Sequence, residues 1–306
     1  MHPSAHRLIS HQFQAVRLLR KEVIDVTPAQ LRTAVDAAAR LYPGHRDAEV
    51  ERCEMAGVPM DVIRAKEPIE QAEKTEKNLL PVIWVHGGGF AFGSARTHRA
   101  AGSHLALDLM RPVWLPDYSL APEHPFPQAL EQLSGLITEA ISQHGTCDLI
   151  GDSAGGNLAL AVCLFRLERN LPLPRSLALL SPWLDLRIDS PSYSNNPAES
   201  SLFDKDDMRY YSSFYLAGHP AQDPLVSPGI MDEKQLKRLP PIRLESTPAD
   251  YLHPDAVAFA ERIKKAQGQL EWCEVPGTFH SWQLLPNLLA EAKKSISDLA
   301  QFIQAQ

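Results

Sequence analysis

Two kinds of apolar run alternate along the chain. Short continuous blocks are Pro81-Val82-Ile83-Trp84-Val85, Val113-Trp114-Leu115, Cys147 to Ile150, Ser176 to Leu180, Ile242 to Glu245 and Leu270 to Val275. They have the length and character of strands in a covered sheet. Between them, residues 99–110, 127–143, 158–167, 256–266 and 286–303 space their apolar positions as helices do. Strands and helices in regular turn call for a mostly parallel sheet with helices on both faces. The chain begins differently. Ile9, Phe13, Val16 and Leu19 form one face of a helix over residues 8–24. Thr27-Pro28 caps a second helix that runs to about Leu41, where Pro43-Gly44 stops it. Glu54 to Ala65 reads as strand interrupted at Gly57-Val58-Pro59, and residues 66–78 as polar loop. From Asp185 the alternation lapses into a Ser/Asn/Pro-rich stretch, then a segment dense in aromatics, Tyr210, Tyr211, Phe214 and Tyr215. The division expected is a helical cap segment over residues 1–50, a core in two parts over 51–184 and 223–306, and a cap insertion over 185–222.

Composition removes several classes of function. The chain has 306 residues, 44% hydrophobic and 22% charged, with net charge −7, so no basic face for nucleic acid is expected. Its four cysteines form no C-x-x-C pair, which leaves no metal or redox motif. No apolar stretch reaches 18 residues, so no membrane span is expected, and the N-terminus has no continuous apolar region of a signal peptide. A cytoplasmic enzyme without cofactor or metal is the expectation.

The chemistry centres on Leu149-Ile150-Gly151-Asp152-Ser153-Ala154-Gly155-Gly156-Asn157. A strand runs into Gly-x-Ser-x-Gly and then into a helix. A serine hydroxyl attacks only if it is held in the open beside a base. A sharp strand-to-helix turn exposes Ser153, the flanking glycines leave room for it, and the helix aims free N–H groups at the reaction centre. Acyl transfer builds a tetrahedral oxyanion that needs N–H donors about 3 Å away. His86-Gly87-Gly88-Gly89-Phe90 closes the strand 81–85, at the end where open sheets bind ligands. Neither a Lys-Ser/Thr nor a Gly-x-Gly-x-x-Gly pattern makes this a nucleotide loop. In this fold the acid and then the histidine follow the serine. Only His219, His253 and His280 do so. His219 falls in the insertion and His253 too near the acid, which leaves His280 as the base, across the Pro276-Gly277 turn. Asp250, in the loop after the strand 242–245, is the preferred acid. Asp255 is the rival, with a helix-cap role at Ala256 as its simpler explanation.

Together these segments resemble the hormone-sensitive-lipase-like esterases, the bacterial family IV of α/β-hydrolases. The resemblance rests on the glycine motif and the elbow, and on Asp117-Tyr118-Ser119-Leu120-Ala121-Pro122-Glu123-His124-Pro125-Phe126-Pro127, Ser181-Pro182-Trp183, Asp223 to Pro228 and Gly277-Thr278-Phe279-His280. It implies an α/β-hydrolase fold and hydrolysis of small esters with short to medium acyl chains. It also implies oxyanion donors at Gly88, Gly89 and Ala154, and it leaves a homodimer through the sheet edge open. Two departures stand out. Tyr251-Leu252-His253-Pro254 replaces the family's Pro-Leu-Arg-Asp after the acid, and Ser281-Trp282 replaces the Gly-Phe frequent after the base. Phe90, Tyr211, Phe214 and Trp282 are the expected substrate-binding side chains. A lactone-, acetyl- or amide-specific hydrolase would use the same triad, and a non-catalytic ligand receptor on this fold would lack the histidine that is kept here.

Overall fold

The computed structural model describes residues 27–66, 79–188 and 203–306. The helix expected over 8–24, all but the first residue of the loop expected over 66–78, and the Ser/Asn/Pro-rich stretch from 189 lie outside the described residues.

Eight strands form one sheet: β1 Ala48–Met55, β2 Val58–Ala65, β3 Val82–Val85, β4 Val113–Pro116, β5 Asp148–Asp152, β6 Ser176–Leu180, β7 Ile242–Ser246 and β8 Leu270–Glu274. Their order is β1-β2-β4-β3-β5-β6-β7-β8. From β4 to β8 every neighbouring pair is parallel, while β1–β2 and β2–β4 are antiparallel. The interior strands are buried along their whole length, as their continuous apolar runs require. Period-two alternation still sorts the faces. Ile83, Val85 and Leu149 join one apolar cluster, and Val82, Trp84 and Ile150 join the other.

Helices cover both faces. Helix α1 (Pro28–Ala39) is followed by α2 (Ala95–Leu109), α3 (Gln128–His144), α4 (Ala154–Glu168), α5 (Lys205–Leu216), α6 (Glu233–Leu236), α7 (His253–Lys265) and α8 (Ala290–Gln304). Residues of α2 and α8 pack into one cluster, and those of α3, α4 and α7 into the other. Among the described residues no helix is long and apolar enough to cross a membrane.

The boundaries depart from the sequence reading in four places. Glu54 to Ala65 is not one interrupted strand. It is the end of β1 and all of β2, joined by a two-residue turn in which Ala56 and Gly57 both take positive φ, 51° and 75°. The charged pattern of β1, Ala-Glu-Val-Glu-Arg-Cys-Glu-Met, hides it as a strand but suits an outer edge. Helix α2 begins at Ala95 rather than near Arg99, because Asp117 accepts the Ala95 amide at 2.6 Å. Helix α7 begins at His253, with Pro254 in the first turn where its missing N–H costs nothing. Asp255 is therefore a first-turn acid and not the cap, which is Leu252. Helix α8 begins at Ala290, after a short 3-10 turn over Trp282–Leu284, and not at Pro286.

Candidate active site

Four loops meet at the C-terminal ends of the parallel strands. The glycine loop leaves β3, the serine turn leaves β5, the acid loop leaves β7 and the histidine loop leaves β8.

The turn between β5 and α4 is strained where the reading placed the serine. Ser153 has φ 53° and ψ −122°, a conformation that side chains normally avoid. The turn is fixed from both sides. The Ser153 amide donates to the Leu180 carbonyl (3.0 Å), and the Trp183 amide donates to the Ser153 carbonyl (3.0 Å). Only glycine fits at two flanking positions, since a Cβ on Gly151 would lie 2.2 Å from the Gly155 carbonyl oxygen and one on Gly155 would lie 2.1 Å from that of Val85. Buried Asn157 then ties α4 to the loops around it, donating to the carbonyls of Trp183 (2.8 Å) and Val226 (2.9 Å).

The glycine loop is folded onto this turn. Gly88 takes φ 121°, and its carbonyl accepts from Ala91 and Phe92, both at 3.0 Å. Gly89 takes φ 57°, and the Tyr211 ring of α5 lies directly over it. His86 donates from Nδ1 to the Gly87 carbonyl (2.7 Å), stacks on Tyr118 at 4.3 Å, and has its own carbonyl held by the Tyr118 hydroxyl (2.7 Å). Burial, helped by neighbouring His98, pushes the His86 imidazole down to about 4, so this ring is neutral and serves the loop as a fixed donor. Arg32 of α1 reaches over the far side and donates to the carbonyls of Ala91 and Ala121, each at 2.7 Å.

Asp250 and His280 are both buried and paired, with His280 Nδ1 donating to Asp250 Oδ2 at 2.7 Å. The Leu252 amide donates to the other carboxylate oxygen at 3.1 Å. Burial alone would push the His280 imidazole down. The Asp250 charge and hydrogen bond, with a smaller contribution from Asp152, outweigh it and raise the group above its ordinary value. The next residue, Ser281, lies at φ 53° and brings its hydroxyl to within 3.4 Å of Asp152, the residue before Ser153. The histidine and the serine thus flank one contact. Asp255 sits instead in the first turn of α7. His253 is occupied elsewhere, with Nδ1 3.0 Å from the Ser246 hydroxyl and Nε2 3.3 Å from Glu274.

Residues 82–284 match a family model described as alpha/beta hydrolase fold. The chain belongs to the α/β-hydrolase fold family. Within it, an esterase of Acinetobacter venetianus is 31% identical over 91% of this chain and 89% of its own length. An acetyl-hydrolase of Streptomyces hygroscopicus is 32% identical over 73% of this chain and 75% of its own. The crystal structure of an esterase from the bacterial hormone-sensitive lipase family superposes with TM-score 0.88 at 28% identity, covering 100% of this chain and 99% of that one. This α/β-hydrolase is one of the hormone-sensitive-lipase-like esterases, an enzyme that hydrolyses carboxylic esters.

The aromatics of this hydrolase divide into those brought to the four loops and those that are not. Phe90 stacks on Tyr215 at 4.0 Å, and Tyr211 covers Gly89. Phe214 is half-buried beside Tyr210, at 4.6 Å. Trp282 packs into a separate cluster with Phe279, Leu289 and Ala292, not into the one that holds Phe90 and Tyr211. Phe203, which no sequence signal marked, stands edge-on to the His280 ring at 5.8 Å and to Tyr211 at 6.3 Å. It follows a polar, Pro-containing stretch and has no periodic partner in sequence, so only folding reveals its place. His98 and Trp84 were missed for the same reason, as single side chains inside a helix and a strand, while His86 and Ser281 stood in the quoted motifs with no role assigned to them.

Proposed function

We propose that the chain is a serine carboxylesterase that forms an acyl-enzyme on Ser153, with His280 as base and Asp250 as the acid that orients it. The buried 2.7 Å pair of Asp250 and His280, linked to the strained serine turn through the contact of Ser281 with Asp152, carries this reading. His280 takes the Ser153 proton as the hydroxyl oxygen attacks the ester carbonyl. The oxyanion is met by the amides of Gly88, Gly89 and Ala154. His280 then gives its proton to the leaving alcohol, and water, deprotonated by the same ring, cleaves the acyl-enzyme. The retained histidine argues against a receptor that only binds its ligand.

Short- to medium-chain acyl esters are the proposed substrates. The rings of Phe90, Tyr211, Tyr215 and Phe203 crowd the glycine loop and the base, which favours a small apolar acyl group over a long one. We take residues 1–50 and 185–222 as the two parts of the cap. The polar hold of Arg32 and Asp36 on the glycine-loop tail supports including the first. The test is a fluorophosphonate probe followed by peptide mass mapping, together with turnover on p-nitrophenyl esters from acetate to octanoate, a lactone and an anilide. One adduct on Ser153 and a maximum at acetate or butyrate are expected. An adduct elsewhere, or a preference for the anilide, overturns the reading.

A further inference from the structure

Three flexible glycines make a poor scaffold for donors that must be placed to within about half an ångström. Something rigid has to hold the loop at a set distance from the serine. The side chain that does so belongs to the residue before the serine. Asp152 is buried at the end of β5, and its Oδ1 accepts from the Gly87 amide (3.1 Å), the Trp84 indole (3.1 Å) and His98 Nε2 (2.8 Å). An indole and an amide can only donate, so this oxygen serves as an acceptor throughout. The second oxygen faces the Ser281 hydroxyl at 3.4 Å, one residue from His280.

Resting on the serine-esterase reading above, we propose that Asp152 is a positioning residue for ester hydrolysis, setting the glycine loop against Ser153 through Gly87 and holding negative charge behind His280, with buried His98 as its counter-group. The covalent path is as short as a protein allows. The residue beside the nucleophile grips the residue beside the oxyanion donors, so serine and donors move as one body. Close packing reinforces the grip, since a Cβ on Gly87 would lie 2.5 Å from Asp152 Oδ2.

His98 is built for its part. Its Nδ1 meets the Thr97 hydroxyl at 2.8 Å, and that hydroxyl lies 2.6 Å from the Ser94 carbonyl, to which it donates. With the Thr97 hydrogen spent there, both ring nitrogens of His98 face acceptors, the arrangement of a cation beside a carboxylate. Burial favours the neutral acid at Asp152, yet the His98 charge and the hydrogen bonds from His98 and Trp84 hold the carboxyl below its usual range. The charged or titratable groups facing His280 are Asp250 from the β7–α7 loop and Asp152 from β5. Those facing Asp152 are His98 from α2, His86 from the glycine loop after β3, Tyr118 from the loop after β4, and His280 itself.

The test uses the full chain with Asp152→Asn, which keeps shape and removes charge. Active sites are counted first by phosphonate labelling, so turnover is expressed per reactive Ser153. The expected result is a kcat on p-nitrophenyl butyrate lowered about 10- to 100-fold with KM within threefold, and an acid limb of kcat/KM displaced to lower pH, because His280 has lost one of two facing carboxylates. A purely structural role would lower the melting temperature and the labelled fraction but leave the limb in place. Turnover per labelled serine within twofold of wild type, with an unmoved limb, overturns the proposal. His98→Gln keeps a donor toward Oδ1 without the charge and is the second variant if Asp152→Asn does not fold, with the acid limb expected at higher pH because Asp152 then faces His280 without its counter-charge. A lowered kcat per site with a displaced limb supports the proposal, and neither change overturns it. Absence of a Ser153 adduct in the wild-type chain would instead defeat the serine-esterase reading itself.

Discussion

Strand β5 carries a buried aspartate at each end, and the two are treated differently. Asp148, at the N-terminal end, is gripped by cations and a hydroxyl. Arg175 binds it through two nitrogens (3.0 and 2.7 Å), Arg111 through a third, and Ser176 Oγ donates at 2.7 Å. Asp152, at the C-terminal end, meets an indole, a backbone amide and a histidine, four residues further on. Guanidinium groups never lose their proton and fit a carboxylate through two parallel bonds, so they make a permanent clasp. Histidine and backbone amides make a contact that transmits position and charge to the loops around it. Polar groups at the bottom of this sheet hold the fold, and those at the top hold the reaction geometry.

The largest expected break of that division is Asp250→Asn, at the reaction end. It should cost about 10⁴ in turnover, as loss of the orienting carboxylate does in a serine protease, with little change in melting temperature. Asp255→Asn, in the first turn of α7, should lose no more than about 1 kcal/mol of stability and keep its turnover. Steady-state kinetics beside thermal melts separate the two. If Asp255→Asn is the inactive variant, the acid has been assigned to the wrong residue.

Asp148→Asn is the opposite break. It strands two arginines at the bottom of the sheet and should cost about 3–5 kcal/mol in urea unfolding, while turnover per labelled Ser153 stays at the wild-type level. A loss of turnover per site would show that the two ends of β5 are not separable.

The pH profile sharpens the comparison. His280 accepts a proton only when neutral, and its folded value is raised mainly by Asp250 acting against burial. Activity should therefore fall on the acid side through a limb lying above the ordinary histidine value of about 6.5. A kcat/KM profile flat from pH 7 down to pH 5 would contradict this.

The smallest effect is expected at Arg32→Ala. Its bonds to Ala91 and Ala121 tie α1 to the tail of the glycine loop, and Glu123 shares the contact. Losing them should cost about 1–2 kcal/mol and lower turnover a few-fold, more on octanoate than on acetate if α1 helps close the acyl pocket. Equal rates across chain lengths would remove α1 from the cap.

What the sequence determined by itself follows from local rules. Continuous apolar blocks specified β3 to β6, helical spacing specified α3 and α4, and Thr27-Pro28 specified the start of α1 through a capping box with Gln30. The Gly-x-Ser-x-Gly and His-Gly-Gly-Gly signals marked Ser153 and the glycine loop, because close backbone approach at Gly151 and Gly155 and positive φ at Gly88 and Gly89 each require glycine. Tertiary structure decided what depends on partners distant in sequence. β1 pairs with β2 at the sheet edge although half of its residues are charged. Asp117 moved the start of α2, Phe203 came to rest beside His280, and Asp152 found Gly87, Trp84 and His98 across 54 to 68 residues of chain. A hydrogen bond between distant side chains leaves no periodic trace along the sequence, and only the packed sheet brings its donor and acceptor together.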